Sequence, residues 1–123
     1  VTPFGAKLRD LRSERGISQK DMAKSIGVSA AYLSALEHGR RGQPTWDKLQ
    51  RIIQYFNIIW DEAEELQRLA MISDPRIVID TGGLSPAATE LANVLATKIG
   101  DIDEKTARLL IRTMEAVPEK RKR

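Results

Sequence analysis

The sequence predicts an all-α chain, with five helices close together in the N-terminal part and two more after a break. Three observations predict this. Apolar residues recur at three- and four-residue spacing through most of the 123 residues. Each periodic stretch is bracketed by a capping residue at its start and by Gly, Asn or Pro at its end. The apolar share of 41% against 30% charged is that of a globular chain. With aromatics at 5%, the core has to be built mainly from Leu, Ile, Val, Ala and Met.

Each element follows from its own residues. Pro3 sits where a first helical turn tolerates it, and Phe4, Leu8 and Leu11 mark one face, with Lys7, Arg9, Arg12 and Arg15 around them. Gly16 closes this helix. Ser18 caps the second helix, with Asp21 three residues on in a variant capping box, and Met22, Ala23 and Ile26 form its buried face. Gly27 ends it, where a left-handed residue lets the chain reverse without a Cβ clash. Ser29 caps a third helix carrying Tyr32, Leu33 and Leu36, and Gly39 stops it. Arg40-Arg41-Gly42-Gln43-Pro44 is a basic loop. Thr45 caps a fourth helix with Trp46, Leu49, Ile52, Ile53 and Phe56, ended by Asn57. Ile58, Ile59 and Trp60 begin a fifth, continued by Ala63, Leu66, Leu69 and Ala70, with Asp61, Glu62, Glu64 and Glu65 complementing its N-terminal dipole.

After Asp74-Pro75 the pattern breaks. The β-branched run Arg76-Ile77-Val78-Ile79-Asp80 reads as a short strand or as coil. Thr81-Gly82-Gly83 is a joint. Ser85-Pro86 starts a sixth helix with the stripe Leu84, Ala88, Leu91, Leu95 and Ile99, and Gly100 stops it. Asp103 caps a seventh with Ala107, Leu110, Ile111, Met114 and Val117 on one side, ended by Pro118. Residues 1–72 are therefore expected to form one domain, residues 73–117 a linker and helical hairpin, and residues 118–123 a basic disordered tail.

Charge is unevenly spread. Residues 1–60 carry ten Lys/Arg against five Asp/Glu, and residues 61–117 carry six against eleven. A basic first half suits a polyanion, and an acidic second half suits contacts among protein segments, although chance would also produce such a split. Cysteine is absent, which excludes disulfides, thiolate zinc and a cysteine nucleophile. With His38 the single histidine, there is no His-based metal site, and neither a metal nor another cofactor is expected. The carboxylate pairs Glu64/Glu65 and Asp101/Asp103 sit in acidic, solvated runs, and Gly82-Gly83 is too short for a nucleotide cradle, so no enzyme is expected. No apolar run spans a membrane, and the first fifteen residues have no signal core, so a cytoplasmic protein is expected.

The segment 17–39, ISQKDMAKSIGVSAAYLSALEHG, joins two short helices across Gly27-Val28-Ser29. It resembles the lambda-repressor-like helix-turn-helix family of Cro/cI type, also called the xenobiotic-response-element family. The matching elements are Leu11-Arg12, Ser18-Gln19, Ala23, Gly27-Val28-Ser29, Leu33-Ser34, Leu36-Glu37 with Gly39, and Pro44, so the resemblance covers about residues 3–72.

The resemblance implies a five-helix DNA-binding domain followed by a two-helix extension, with double-stranded DNA as partner. Helix three would approach the major groove through its N-terminal half, placing Ser29, Ala30, Ala31, Tyr32 and Ser34 at the DNA. The family often has polar residues at positions 30 and 31. Alanine cannot hydrogen-bond a base, although it can touch a thymine methyl, so Ser34 and Tyr32 are left for polar readout. Gln19 is implied on a phosphate, with a solvated helix residue as the plain alternative, and His38 aligns with a phosphate contact. Tyr32 serves equally well as a half-buried structural tyrosine. Arg40 and Arg41 supply affinity through phosphates or a guanine, and DNA shape then carries more of the specificity. Glu37 would repel phosphates if free, and the resemblance implies a structural pair with Arg12.

One such module buries too little DNA for tight specific binding. A homodimer on a pseudo-palindromic operator is therefore expected, with the C-terminal stripes as its contact, acting as a transcriptional regulator, most simply a repressor. The alternative is an antitoxin-type protein that inhibits a partner protein and regulates its own promoter.

Overall fold

Helices here begin where a short polar side chain accepts the first free backbone N–H groups. The computed structural model describes residues 1–119, and the helices among them are α1 (Pro3–Glu14), α2 (Gln19–Ile26), α3 (Ala30–Glu37), α4 (Trp46–Phe56), α5 (Trp60–Met71), α6 (Pro86–Lys98) and α7 (Glu104–Glu115). Ser18 Oγ accepts from Asp21 N–H at 3.1 Å, Ser29 Oγ from Tyr32 N–H at 3.0 Å and Thr45 Oγ1 from Lys48 N–H at 3.3 Å. Ser85 and Asp103 cap α6 and α7 in the same way. Thr2, outside the expected set of caps, accepts from Gly5 N–H at 3.0 Å at the head of α1. No side chain caps α5, which starts at Trp60 and not at Ile58. Ile58 is buried in the core, and Asp61 and Glu62 face the uncapped N–H groups of the first turn.

The chain divides into two units, one spanning Val1–Ile77 and the other starting at Val78. In the first, α1 packs on α3 and α5, α2 on α3 and α4, and α4 on α5. Phe4, Leu8, Met22, Leu33, Leu36, Ile52, Phe56 and Leu66 close the core with no measurable exposure. Fully burying each such side chain stabilises by roughly 1.5–3 kcal/mol relative to leaving it in water. Two glycines make this packing possible. A Cβ on Gly5 would stand 2.3 Å from the Leu36 carbonyl oxygen, so α1 and α3 touch through their backbones. A Cβ on Gly42 would stand 2.2 Å from the Ser73 carbonyl oxygen, which locks the loop after α3 onto the end of α5.

Three expectations are altered, and one left open is settled. Trp46, grouped with the buried face of α4, is 68% exposed, because it is the first residue of its helix and only borders the groove lined by Gln67, Ala70 and Met71 of α5. Residues 76–80 are coil, since among the described residues no second strand lies beside them. Ser73, assigned to the linker, is buried, with its hydroxyl accepting from Phe4 N–H at 2.8 Å. In the second unit neither α6 nor α7 buries a residue. Ala88, Leu95 and Ala107 are half-buried, while Leu91, Ile99, Leu110, Ile111 and Met114 stay exposed, because α6 and α7 do not pack face to face and the expected hairpin does not close its stripes. Residues 120–123 of the expected tail lie outside the described residues.

Candidate nucleic-acid interface

The turn between α2 and α3 is held from three sides. Gly27 adopts φ +76°, and Val28 N–H returns to the Ala23 carbonyl at 3.0 Å. Arg51 reaches from α4 to donate to the Ile26 carbonyl at 3.2 Å. With the turn set, α3 buries Leu33, Leu36 and Glu37 and presents Ala30 and Ala31 to solvent, with Ser34 half-exposed beside them.

Glu37 is 1% exposed, and three helices converge on it. Arg12 of α1 donates Nε to Oε2 at 2.8 Å and Nη2 to Oε1 at 2.9 Å, and its Nη1 donates to the Ile17 carbonyl at 2.9 Å. Gln19, the first residue of α2, donates Nε2 to Oε1 at 3.1 Å. Burial pushes the Glu37 carboxyl upward, but the hydrogen bonds from Arg12 and Gln19 outweigh it, and the group sits below the ordinary carboxylate range. The hydrogen bond to Glu37 raises Arg12 in turn. This fork ties α1 and the N-terminus of α2 to the C-terminal end of α3, and keeps a negative charge off the open face.

A second cluster gathers cations beside α3. The half-buried Tyr32 ring carries the Arg41 guanidinium at 5.3 Å and the Lys48 ammonium at 4.3 Å from its centroid. Burial pushes the Tyr32 hydroxyl above its usual pKa, with Arg41 opposing, so the ring stays neutral and both cations rest on an aromatic face. Arg40 and His38 are exposed at the start of the same loop. His38 Nδ1 lies 2.8 Å from the Ser34 carbonyl oxygen, which can only accept. The ring is therefore protonated at Nδ1, and in the neutral form Nε2 is an acceptor.

Ser29, Ala30, Ala31, Tyr32, Ser34, His38, Arg40 and Arg41 thus lie on α3, its cap or the following loop. Gln19 lies across the turn, with one amide N–H engaged by Glu37. Lys48 was missed by the sequence reading. Its sole sequence signal is a basic residue in the first turn after the Arg40-Arg41 loop, and only the fold brings it to Tyr32. Arg12, Arg15 and Arg51, part of the basic first half, are engaged internally: Arg15 donates to the Phe56 carbonyl and lies over the Phe56 ring.

Two short helices across a three-residue turn, the second with a small-residue face open and cations at its flank, define a helix-turn-helix protein. The family model of the helix-turn-helix domain matches residues 3–66, and the chain belongs to that family. It is 36% identical over 85 residues to the ImmF control region 10 kDa protein of Bacillus phage phi105, covering 69% of this chain and 84% of that one. It is 32% identical over 105 residues to the HTH-type transcriptional regulator PrpR of Mycobacterium tuberculosis, covering 85% of this chain but 20% of PrpR. It is 36% identical over 58 residues to the HTH-type transcriptional repressor RghR of Bacillus subtilis, covering 47% of this chain and 43% of RghR. Among solved structures, the SinR protein/SinI protein complex aligns over 91% of this chain and 94% of that chain, at 18% identity and a TM-score of 0.45.

Proposed function

We propose that the chain is a transcriptional regulator, a repressor, that binds a pseudo-palindromic operator in double-stranded DNA as a homodimer. The observation that carries this reading is the open face of α3, with Arg41 and Lys48 gathered on Tyr32 at its edge. Helix α3 enters the major groove, where Ala30 and Ala31 pack on thymine methyl groups and Ser34 bonds a base edge. Arg40, Arg41 and Lys48 meet phosphates, and the N-terminal amides of α2 with the second Gln19 N–H meet another. His38 reaches a phosphate through its imidazole ring. The names of RghR and PrpR agree with a regulator.

The homodimer rests on the exposed stripes of α6 and α7, including Leu91, Leu110, Ile111 and Met114. An apolar surface of this extent favours association. Two linked α3 helices then meet the second half-site at high effective concentration. The protein acts in the cytoplasm, on the nucleoid, and needs no cofactor for this role. Footprinting of DNA upstream of its own gene tests the reading. Two protected half-sites about one helical turn apart are expected. Protection without half-site structure, or none at nanomolar to micromolar protein, would overturn it.

A further inference from the structure

The composition of the segment Arg76-Ile77-Val78-Ile79-Asp80 suits a strand, and its conformation is coil. Ile77, Val78 and Ile79 are 69%, 95% and 53% exposed. Among the described residues, none bonds the backbone N–H or C=O of these three. The segment is bracketed by two Asx turns. Asp74 Oδ1 accepts from Arg76 N–H at 3.0 Å, and Asp80 Oδ1 accepts from Gly82 N–H at 2.8 Å. Between them stands an apolar stretch with free ladder groups, the template onto which another strand adds.

The charges select the occupant. Read about Val78, the segment is its own complement: one basic and one acidic residue two positions out, one isoleucine on each side. We propose that this segment pairs antiparallel with the same segment of a second copy, forming a two-stranded ribbon across the molecular two-fold axis centred on Val78. This rests on the homodimer reading and deepens it by placing part of the contact. In that register Arg76 stands opposite the partner's Asp80, and Asp80 opposite the partner's Arg76. Val78 meets the partner's Val78 on the same face, and Ile77 meets the partner's Ile79 on the other. Asp80 keeps Oδ2 for the cation while Oδ1 holds Gly82.

Other registers fail on the same residues. Parallel in-register pairing would stack Arg76 on Arg76 and Asp80 on Asp80. An antiparallel slip of one residue sets each charge opposite an isoleucine or beyond the segment. A slip of two toward the N-terminus sets Asp74 opposite Asp80 and brings in Pro75, which has no N–H. The single chain leaves the segment as coil because a strand has no stability without its ladder. A ribbon this short is marginal alone, so it adds to the contact made by α6 and α7 and fixes its register.

The chain has no cysteine, so Val78→Cys introduces a single thiol, placed on the proposed axis. Directly opposed antiparallel residues have Cα atoms about 4.5–5.5 Å apart, within the span of a disulfide. The full-length protein is oxidised mildly alongside a Lys24→Cys control on the exposed side of α2, and dimer mass is read by sedimentation. Disulfide formation by Val78→Cys at least about tenfold faster than by the control is expected. Arg76→Asp, which sets like charges together twice, should weaken the dimer about tenfold or more, and Arg76→Asp with Asp80→Arg should restore it. A dimer that ignores both charge variants and cross-links no faster than the control overturns the ribbon and leaves the homodimer standing. A wild-type chain that sediments as a monomer at tens of micromolar overturns both.

Discussion

Replacing Glu37 with Gln exchanges one oxygen for an NH2 group and removes a single charge. In the native site each carboxylate oxygen has a donor against it: Oε2 faces Arg12 Nε at 2.8 Å, and Oε1 faces Arg12 Nη2 and Gln19 Nε2 at 2.9 and 3.1 Å. An amide can keep its oxygen toward one side only, so its NH2 must then confront an Arg12 donor, and Arg12 loses its counter-charge. Removing one member of a buried pair costs about 3–5 kcal/mol. Arg12 is 19% exposed and keeps the Ile17 carbonyl, so water relieves part of that loss, and about 2–4 kcal/mol remains. For a domain the size of Val1–Ile77 this lowers Tm on the order of 10–30 °C. Glu37 is held below its ordinary pKa when folded, so its contribution is complete above the unfolded value of about 4.3 and fades as pH falls through the folded value. Urea titrations of wild type and variant at neutral pH, then stepwise into acid, measure this directly. The two curves should be well separated at pH 7 and converge on acidification, where a protonated Glu37 resembles the amide. Coincident melting at pH 7, or a gap that persists undiminished into acid, would refute the account of the fork.

The other expectations concern packing, DNA and association. Gly5→Ala drives a Cβ against the Leu36 carbonyl oxygen and should cost about 1–3 kcal/mol of stability, read as a lower urea midpoint at constant m. Arg40→Ala with Arg41→Ala should weaken binding to all DNA and reduce the slope of log K against log salt by about two, whereas Ser34→Ala should cost about 1–3 kcal/mol on the operator alone. Tyr32→Leu keeps the core contact but removes the face on which Arg41 and Lys48 rest. It should weaken DNA binding by about 0.5–1 kcal/mol for each cation without a matching loss of stability, as read by fluorescence anisotropy against urea denaturation. Leu110→Glu places a charge in an exposed stripe and should yield a monomer in sedimentation with an unchanged far-UV spectrum and no operator preference.

What the sequence makes legible and what it hides divide along the distance over which each residue acts. Ser18, Ser29, Thr45, Ser85 and Asp103 bond N–H groups three residues away, so a linear reading finds them and places the helix starts within a residue. Gly27 is legible for the same reason, because its left-handed φ answers a local need for a turn. The resemblance to a repressor-type domain extended that reach once, to Arg12 and Glu37, which lie 25 positions apart. Beyond it, residues whose partners lie elsewhere in the chain were misread or passed over. Trp46 carries the hydropathy of a core residue, but its position at the head of α4 puts it outside the packed layer. Gly5 and Gly42 look like ordinary glycines until the Leu36 and Ser73 carbonyls are seen against them, and Lys48 is one more basic residue until Tyr32 is beneath it. The stretch around Val78 is the opposite case. Its strand-like composition is plain, but the partner that would give it a ladder is in no other part of the described chain. Local pattern states what a segment is suited to pair with, and the fold of one copy leaves that demand unmet in two places: the segment around Val78 and the stripes of α6 and α7.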